Sequence, residues 1–186
     1  MAEVGCLKDG CFQNLQVEGN SIMEGPSTAY SPINYLPTTV AYAENANLTL
    51  TTTNAPSGSI IICSTTGAAT STLALPEATA GYSLMLVQSI TQAGTNTNVI
   101  SCNGTDTFQL GSFASGGTVA APAVATIMAA AEDNTITITP AAAAAFDIGS
   151  HIYFNCLTDG KWFVRIYQSG KGAGTTAAVA FSSESL

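Results

Sequence analysis

What most constrains this chain is a recurring pattern of short runs in which apolar or β-branched residues alternate with small polar ones. Thr135-Ile136-Thr137-Ile138-Thr139 is the clearest case. Side chains along a strand point alternately to its two faces, so such a run buries one row and exposes the other. Related runs occupy residues 38–43, 48–53, 71–75 and 99–102. Ser59-Ile60-Ile61-Ile62-Cys63-Ser64 is continuously apolar and predicts a central strand buried on both faces. Residues 82–90 form another strongly apolar strand.

The punctuation between the runs is equally β-like. Residues 54–58 and 76–81 carry Pro and Gly and read as breaks. Asn103-Gly104 predicts a hairpin, because both residues tolerate positive φ. Thr158-Asp159-Gly160 joins two aromatic and β-branched runs, 151–157 and 161–167, and is the strongest hairpin signal in the chain. Residues 111–122 read as a flexible Gly/Ser/Ala stretch. Residues 124–131 fit either a strand or a short helix, and the alanines at 141–145 favour a helical turn. About ten short strands with turns every 8–12 residues predict an all-β fold, an antiparallel β-sandwich or a jelly-roll-like barrel. No internal repeat is apparent.

Residues 1–37 differ from the rest. They hold four glycines and three prolines, and one short alternation around Leu15 and Val17. They predict an extended N-terminal arm that orders on its own domain or on a partner. Leu7, Phe12, Leu15 and Val17 are its candidate partner-binding residues, by apolarity. The expected β-domain covers 38–168. Residues 169–186, with Gly170, Gly172 and Gly174, read as a C-terminal tail.

Charge narrows the function. Only 9% of residues are charged, against about 25% in an ordinary soluble domain. Surfaces built from Thr, Ser, Asn, Gln and Gly suit a protein that is largely covered by neighbours or must survive outside a cell. The net charge is -8, with Lys8, Lys161, Arg165 and Lys171 as the only cations. Four cations cannot form the basic patch that phosphate contacts need, so nucleic acid is not an expected partner. Neither is an anionic membrane, and no apolar stretch reaches the length of a membrane-spanning helix. Met1-Ala2-Glu3-Val4-Gly5 lacks the features of a secretory signal, so synthesis and folding are expected in a cytoplasm.

Catalytic patterns are sparse. His151 is the single histidine, four residues after Asp147 at a strand start, where a structural role is expected. Nucleophile-elbow and phosphate-loop patterns are absent. Asp106 and Asp159 sit at turns, where short carboxylates bond the local backbone. Glu132-Asp133 precedes the turn residue Asn134. The spaced acidic loop of a calcium site is missing. Cys63, Cys102 and Cys156 lie in β-like runs and read as buried thiols. Cys6 and Cys11 are near each other, and a disulfide between them would be unusual in a cytosolic product. No catalytic residue, metal ligand or cofactor is expected. Alternation puts Trp162, Val164 and Ile166 on a core face, with Phe163, Arg165 and Tyr167 opposite. Arg165 and Tyr167 are candidates to face a partner subunit.

Three motifs carry a resemblance. They are Leu73-Ala74-Leu75-Pro76-Glu77-Ala78-Thr79-Ala80-Gly81-Tyr82, Asn103-Gly104-Thr105-Asp106-Thr107-Phe108 and Asp159-Gly160-Lys161-Trp162-Phe163-Val164. In this order they resemble β-rich modules of tailed-bacteriophage virion proteins, among them capsid decoration proteins, head fibres and tail fibres. Residues 5–19 resemble the start of small virion structural proteins of marine phages (cyanophage-like). The likeness spans residues 5–20 and 70–168. It implies a non-enzymatic shell component, homotrimeric or otherwise oligomeric. It implies partners in the major capsid protein and in copies of itself, and a place on the capsid surface after assembly in the host cytoplasm. The chain lacks a long fibrous shaft, which favours head decoration over receptor binding. The alternative expectation is a fibre or adhesin module that binds a host surface glycan.

Overall fold

A computed structural model of the chain describes residues 37–91, 94–118, 121–139, 146–170 and 179–183, with side chains left out between 116 and 126 and at 170. Leu7, Phe12, Leu15, Val17, Cys6, Cys11 and the alanines 141–145 lie outside the described residues.

The described chain is all-β. Its thirteen strands are β1 (Thr39–Ala43), β2 (Asn47–Thr49), β3 (Ser59–Ser64), β4 (Ser71–Ala74), β5 (Ser83–Gln88), β6 (Asn98–Ser101), β7 (Thr107–Phe108), β8 (Phe113–Thr118), β9 (Ala121–Met128), β10 (Thr135–Ile138), β11 (His151–Thr158), β12 (Lys161–Gly170) and β13 (Val179–Ser182). They form two sheets with one core. The larger sheet runs β1-β3-β5-β11-β12-β8-β9, with β7 also on β12, and the smaller runs β13-β10-β6-β4-β2. The expected sandwich is therefore what forms, as two sheets rather than a closed barrel.

Pairing within the sheets is mixed. β1, β3 and β5 pair parallel, as do β2, β4 and β6, while β5-β11-β12 and β6-β10-β13 are antiparallel. The purely antiparallel expectation fails for a topological reason. From β1 to β7 the chain changes sheet after every strand. Two strands of one sheet are then separated by a strand of the other, which serves as the crossover that parallel pairing needs. Thr39 lies beside Ile60 and Ile60 beside Met85, while Asn47 lies beside Thr72 and Thr72 beside Val99. The first half is thus wound in coils of about 21–27 residues, a solenoid-like arrangement without sequence repetition.

Sheet changes also correct the reading of Asn103-Gly104. The turn is present, with Gly104 at φ 50° and the Asp106 N–H donating to the Asn103 carbonyl at 2.9 Å. It joins β6 to β7 across the two sheets, not the arms of a hairpin. The run 48–53 stops as a strand at Thr49. Asn54 ends it by accepting the Thr51 N–H (2.7 Å) and donating to the Thr49 carbonyl (3.0 Å). Residues 111–122, expected to be flexible, supply β8 and the start of β9, an edge strand, the position in a sheet where a proline such as Pro122 is tolerated. The expected tail contributes β13, which closes one edge of the smaller sheet on β10.

The core follows from alternation. Ile61, Leu86, Ile152, Ile166 and Ala114 form one inward row of the larger sheet, and Ile136, Ile100 and Leu73 face it from the smaller. Trp162 is fully buried, edge-on to Tyr82 (centroids 5.8 Å apart) and to Phe154 (6.2 Å). Truncating a buried Trp to Ala costs about 3–5 kcal/mol, a large share of the ~5–15 kcal/mol that holds a domain folded. Cys63, Cys102 and Cys156 are free, buried thiols, as expected.

The three motif turns meet at one node. The Ala78 N–H donates to Asp106 Oδ2 at 2.7 Å, and the Ala80 N–H to Asp159 Oδ1 at 2.8 Å. The Gly160 N–H donates to the Ala78 carbonyl, and the Thr107 N–H to the Gly160 carbonyl. Gly160 sits at φ 74°, a conformation that a side chain disfavours. A neighbouring repair lies between β7 and β8, which share one edge of β12. There the buried Ser112 hydroxyl accepts the Val164 N–H at 2.9 Å and continues the ladder over the gap.

Replacing Asp106 with Ala leaves the buried Ala78 N–H without its charged acceptor. An unsatisfied buried donor costs about 1–3 kcal/mol. Urea unfolding of Asp106→Ala should show a lower midpoint with an unchanged slope. A midpoint equal to wild type would show that the node is not a structural clamp.

Candidate interaction face

A two-layer sandwich has two outer faces, and here they differ in chemistry. The smaller sheet turns Asn47, Thr49, Thr72, Ser101 and Thr137 outward, a surface rich in hydroxyls and amides with Ala74, Val99 and Ala180 among them, while Thr135 on the same side is buried. Thr72 and Asn47 are joined across strands by a 2.7 Å hydrogen bond. Such a face is satisfied by water.

The larger sheet turns an apolar face outward. Register aligns two rows across it. One runs Ala41, Ile62, Val87, His151, Tyr167, Ser115; the next runs Thr39, Ile60, Met85, Tyr153, Arg165, Phe113. Ile62, Tyr153 and Tyr167 are each more than a third exposed, and Leu157 is 64% exposed at the end of β11. The reading of β3 as buried on both faces is corrected here. Ile61 is buried, whereas Ile60 is half-buried and Ile62 exposed, because among the described residues no second layer lies over this side.

The face divides laterally. β3 and β5 supply an aliphatic half, Ile60, Ile62, Met85 and Val87. β11, β12 and β8 supply an aromatic half. His151 stacks on Tyr167 with centroids 5.0 Å apart, and Tyr153 meets His151 edge-on at 5.2 Å. Phe113 packs edge-on to Tyr167 at 6.2 Å. Arg165 lies over the ring of Phe163, 5.8 Å from its centroid, a favourable arrangement for a cation. The expected core and outer sets of β12 both appear, with Trp162, Val164 and Ile166 at 0% exposure and Arg165 and Tyr167 outward.

No carboxylate points out of this face among the described residues, although acids outnumber cations twelve to four in the chain. The acids are engaged elsewhere. Asp106 and Asp159 hold the turn node, Asp133 accepts the Ala130 N–H at 2.7 Å, and Asp147 accepts the Ile148 N–H at 2.8 Å. Glu44 accepts the N–H and hydroxyl of Thr66 and the Ala69 N–H, closing the 65–70 loop. Asp106 and Asp159 do sit at turns, but their carboxylates accept from Ala78 and Ala80 of a distant loop rather than from the local backbone expected for them. His151 is held by its contact with the Gly149 carbonyl (3.1 Å) and by Tyr167, and Asp147 serves its own loop.

Among the described residues no three His, Cys, Asp or Glu side chains gather as a metal-holding group. A hollow of about 290 Å³ beside the smaller sheet is lined by Thr49, Thr52, Leu75, Glu77 and Cys102, among others. It brings one carboxylate to a set of hydroxyls and a thiol. Burial, reinforced by the charge of Asp106, pushes the Cys102 thiol well above its ordinary value, so it is a poor nucleophile at neutral pH.

The arm candidates Leu7, Phe12, Leu15 and Val17 lie outside the described residues, so the outer face stands as the candidate on structural grounds. Two of its strands, β3 and β5, carried a signal, since Ile60, Ile62, Met85 and Val87 are apolar at the positions where alternation calls for polar ones. Comparison with protein-family models, with curated proteins and with solved structures finds no match to this chain.

Glu44 generates a pH prediction. Partial burial opposes its ionisation, but the Ala69 and Thr66 hydrogen bonds outweigh this and hold its pKa below the ordinary 4.5. A depressed folded-state pKa contributes stability that is present above the unfolded value and lost as pH falls through the folded value. Wild type should therefore lose stability below about pH 4.5 more steeply than Glu44→Gln. Thermal melts between pH 6 and pH 3 measure this, and parallel curves would show that Glu44 is not coupled to folding.

Proposed function

We propose that this chain is a structural virion protein, a capsid decoration (cement) subunit that stabilises a phage head. The observation that supports this best is the contrast between its outer faces, one hydroxyl-rich and one apolar without carboxylates. A subunit with one wet side and one side that needs covering fits an assembly component. A cement protein resists internal pressure by adding buried area across contacts between shell subunits. That task calls for a rigid β-domain and arms that reach neighbours. Its partners on this reading are the major capsid protein and copies of itself. It works at the capsid surface without catalysis or cofactor, after assembly in the host cytoplasm. The turn motifs that carry the likeness to virion proteins support the same reading.

The aromatic half of the larger sheet favours one alternative, a fibre or adhesin module for a host surface glycan. Tyr153 and Tyr167 offer rings for sugars to stack on, and Arg165 beside them suits an acidic sugar.

A mass-spectrometric census of purified virions tests the proposal. The chain should be present at a copy number in fixed proportion to the major shell protein. Deleting residues 1–37 should abolish or weaken capsid occupancy while leaving a folded domain by circular dichroism. Absence from the virion would sink the assignment, and saturable binding on a glycan array would replace it with the adhesin.

A further inference from the structure

We infer that the apolar outer face of the larger sheet is the seat of a second copy of this chain, packed face to face about a two-fold axis. The inference rests on reading that face as an assembly surface and names what covers it.

The first argument is self-complementarity. A contact between identical faces must place residue i on residue j and j on i. An axis along the strands midway between β5 and β11 does this. It lays the aliphatic half of one copy on the aromatic half of the other. Near the axis Met85 then meets Tyr153 of the second copy, and Val87 meets His151. These pairs share rows of the register, because such an axis preserves position along the strands. Thioether against aromatic ring is a favourable pairing. Sheets packed this way lie about 10 Å apart with strands within ~30° of alignment, so pairs close to the axis stay in contact despite twist.

The second argument is charge. With no outward carboxylate among the described residues, closing the face buries no unpaired acid. Arg165 lies on β12, one strand beyond β11. The two copies of Arg165 therefore sit about three strand spacings apart across the axis, ~14 Å. That exceeds the ~8–10 Å screening length of ordinary salt. Each guanidinium already rests on Phe163 and reaches the rim along its flexible stem.

The third argument is area. Six strands at ~4.8 Å spacing and about six residues in length span roughly 600 Å² in projection, and more as accessible surface once side chains stand up. A stable interface takes about 800 Å² from each partner. The face is large enough for a second copy of this chain. Among the described residues the outer face of the smaller sheet carries mostly hydroxyls, with Val99 as its one large aliphatic side chain beside Ala74 and Ala180.

Light scattering coupled to gel filtration tests this on the isolated full chain, separately from any virion. The expected mass is twice 18.9 kDa. Tyr153→Asp should return a monomer of unchanged circular dichroism, and Tyr153→Ala should weaken the dimer at least tenfold. Thr72→Asp, on the hydroxyl face, should leave it intact. A monomeric or trimeric wild type overturns the inference whatever the variants do, and so does a dimer indifferent to Tyr153→Ala. A trimer is the state that the likeness to virion proteins implies, so the measured mass separates the two. Capsid occupancy by a monomer would leave the cement proposal standing and remove this one. Conversely, a dimer sensitive at Tyr153 but absent from virions would keep this inference and remove the cement role.

Discussion

The structure depends on a single constraint, the satisfaction of loop backbone where the chain leaves one sheet for the other. From β1 to β7 it crosses after every strand. Each crossing strips peptide groups of their ladder partners, and a buried peptide group without a partner is costly. Short polar side chains take over. The Ser71 hydroxyl accepts the Asn45 N–H, Glu44 closes 65–70, Gln88 donates to the carbonyls of Thr65 and Ile90, and Asp106 receives Ala78. Where two loops touch, side chains give way altogether. The Gly94 N–H donates to the Thr66 carbonyl, and a Cβ on Gly94 would run into the backbone of Gly67.

This division of labour accounts for the composition. Carboxylates are few, and several of those described serve as acceptors for loop N–H groups. Such charge-assisted bonds are roughly twice as strong as neutral ones, so a few suffice to lock the crossings. The remaining side-chain contacts in the loops use serine, threonine, asparagine and glutamine. A charge-poor chain can be a well-specified sandwich, provided that its charges sit at the crossings.

The same economy leaves the outer faces different. The smaller sheet hydrates through threonine and serine. The larger sheet offers Ile62, Val87, Tyr153 and Tyr167 in adjoining rows. A contiguous apolar patch on a soluble protein marks an interaction site more often than an accident of composition. That asymmetry, together with the turn motifs, is the basis for reading the chain as one part of a larger assembly.

Much of the local structure was legible before any fold was known. Apolar runs located β3 and β5, alternation and β-branched or aromatic content located β4, β10, β11 and β12, and Asp159-Gly160 marked the one hairpin that both sequence and structure contain. The motif turns were visible as turns, and Trp162, Val164 and Ile166 as core. Those properties depend on neighbours a few residues away, where side-chain period and turn chemistry act. Tertiary structure alone decided the rest. Asn103-Gly104 is compatible with a hairpin until β6 and β7 are assigned to different sheets. Parallel pairing of β1 with β3 requires knowing that β2 lies in the other layer. Ile60 and Ile62 looked like parts of a doubly buried strand, and Met85 and Val87 lay in a run read only as strongly apolar, because an apolar residue on the second parity reads as core in isolation. Only the lateral order of β3, β5, β11 and β12 lines those residues up with Tyr153 and Tyr167 as one open face, since which strands become neighbours is set by long-range pairing that no local pattern encodes.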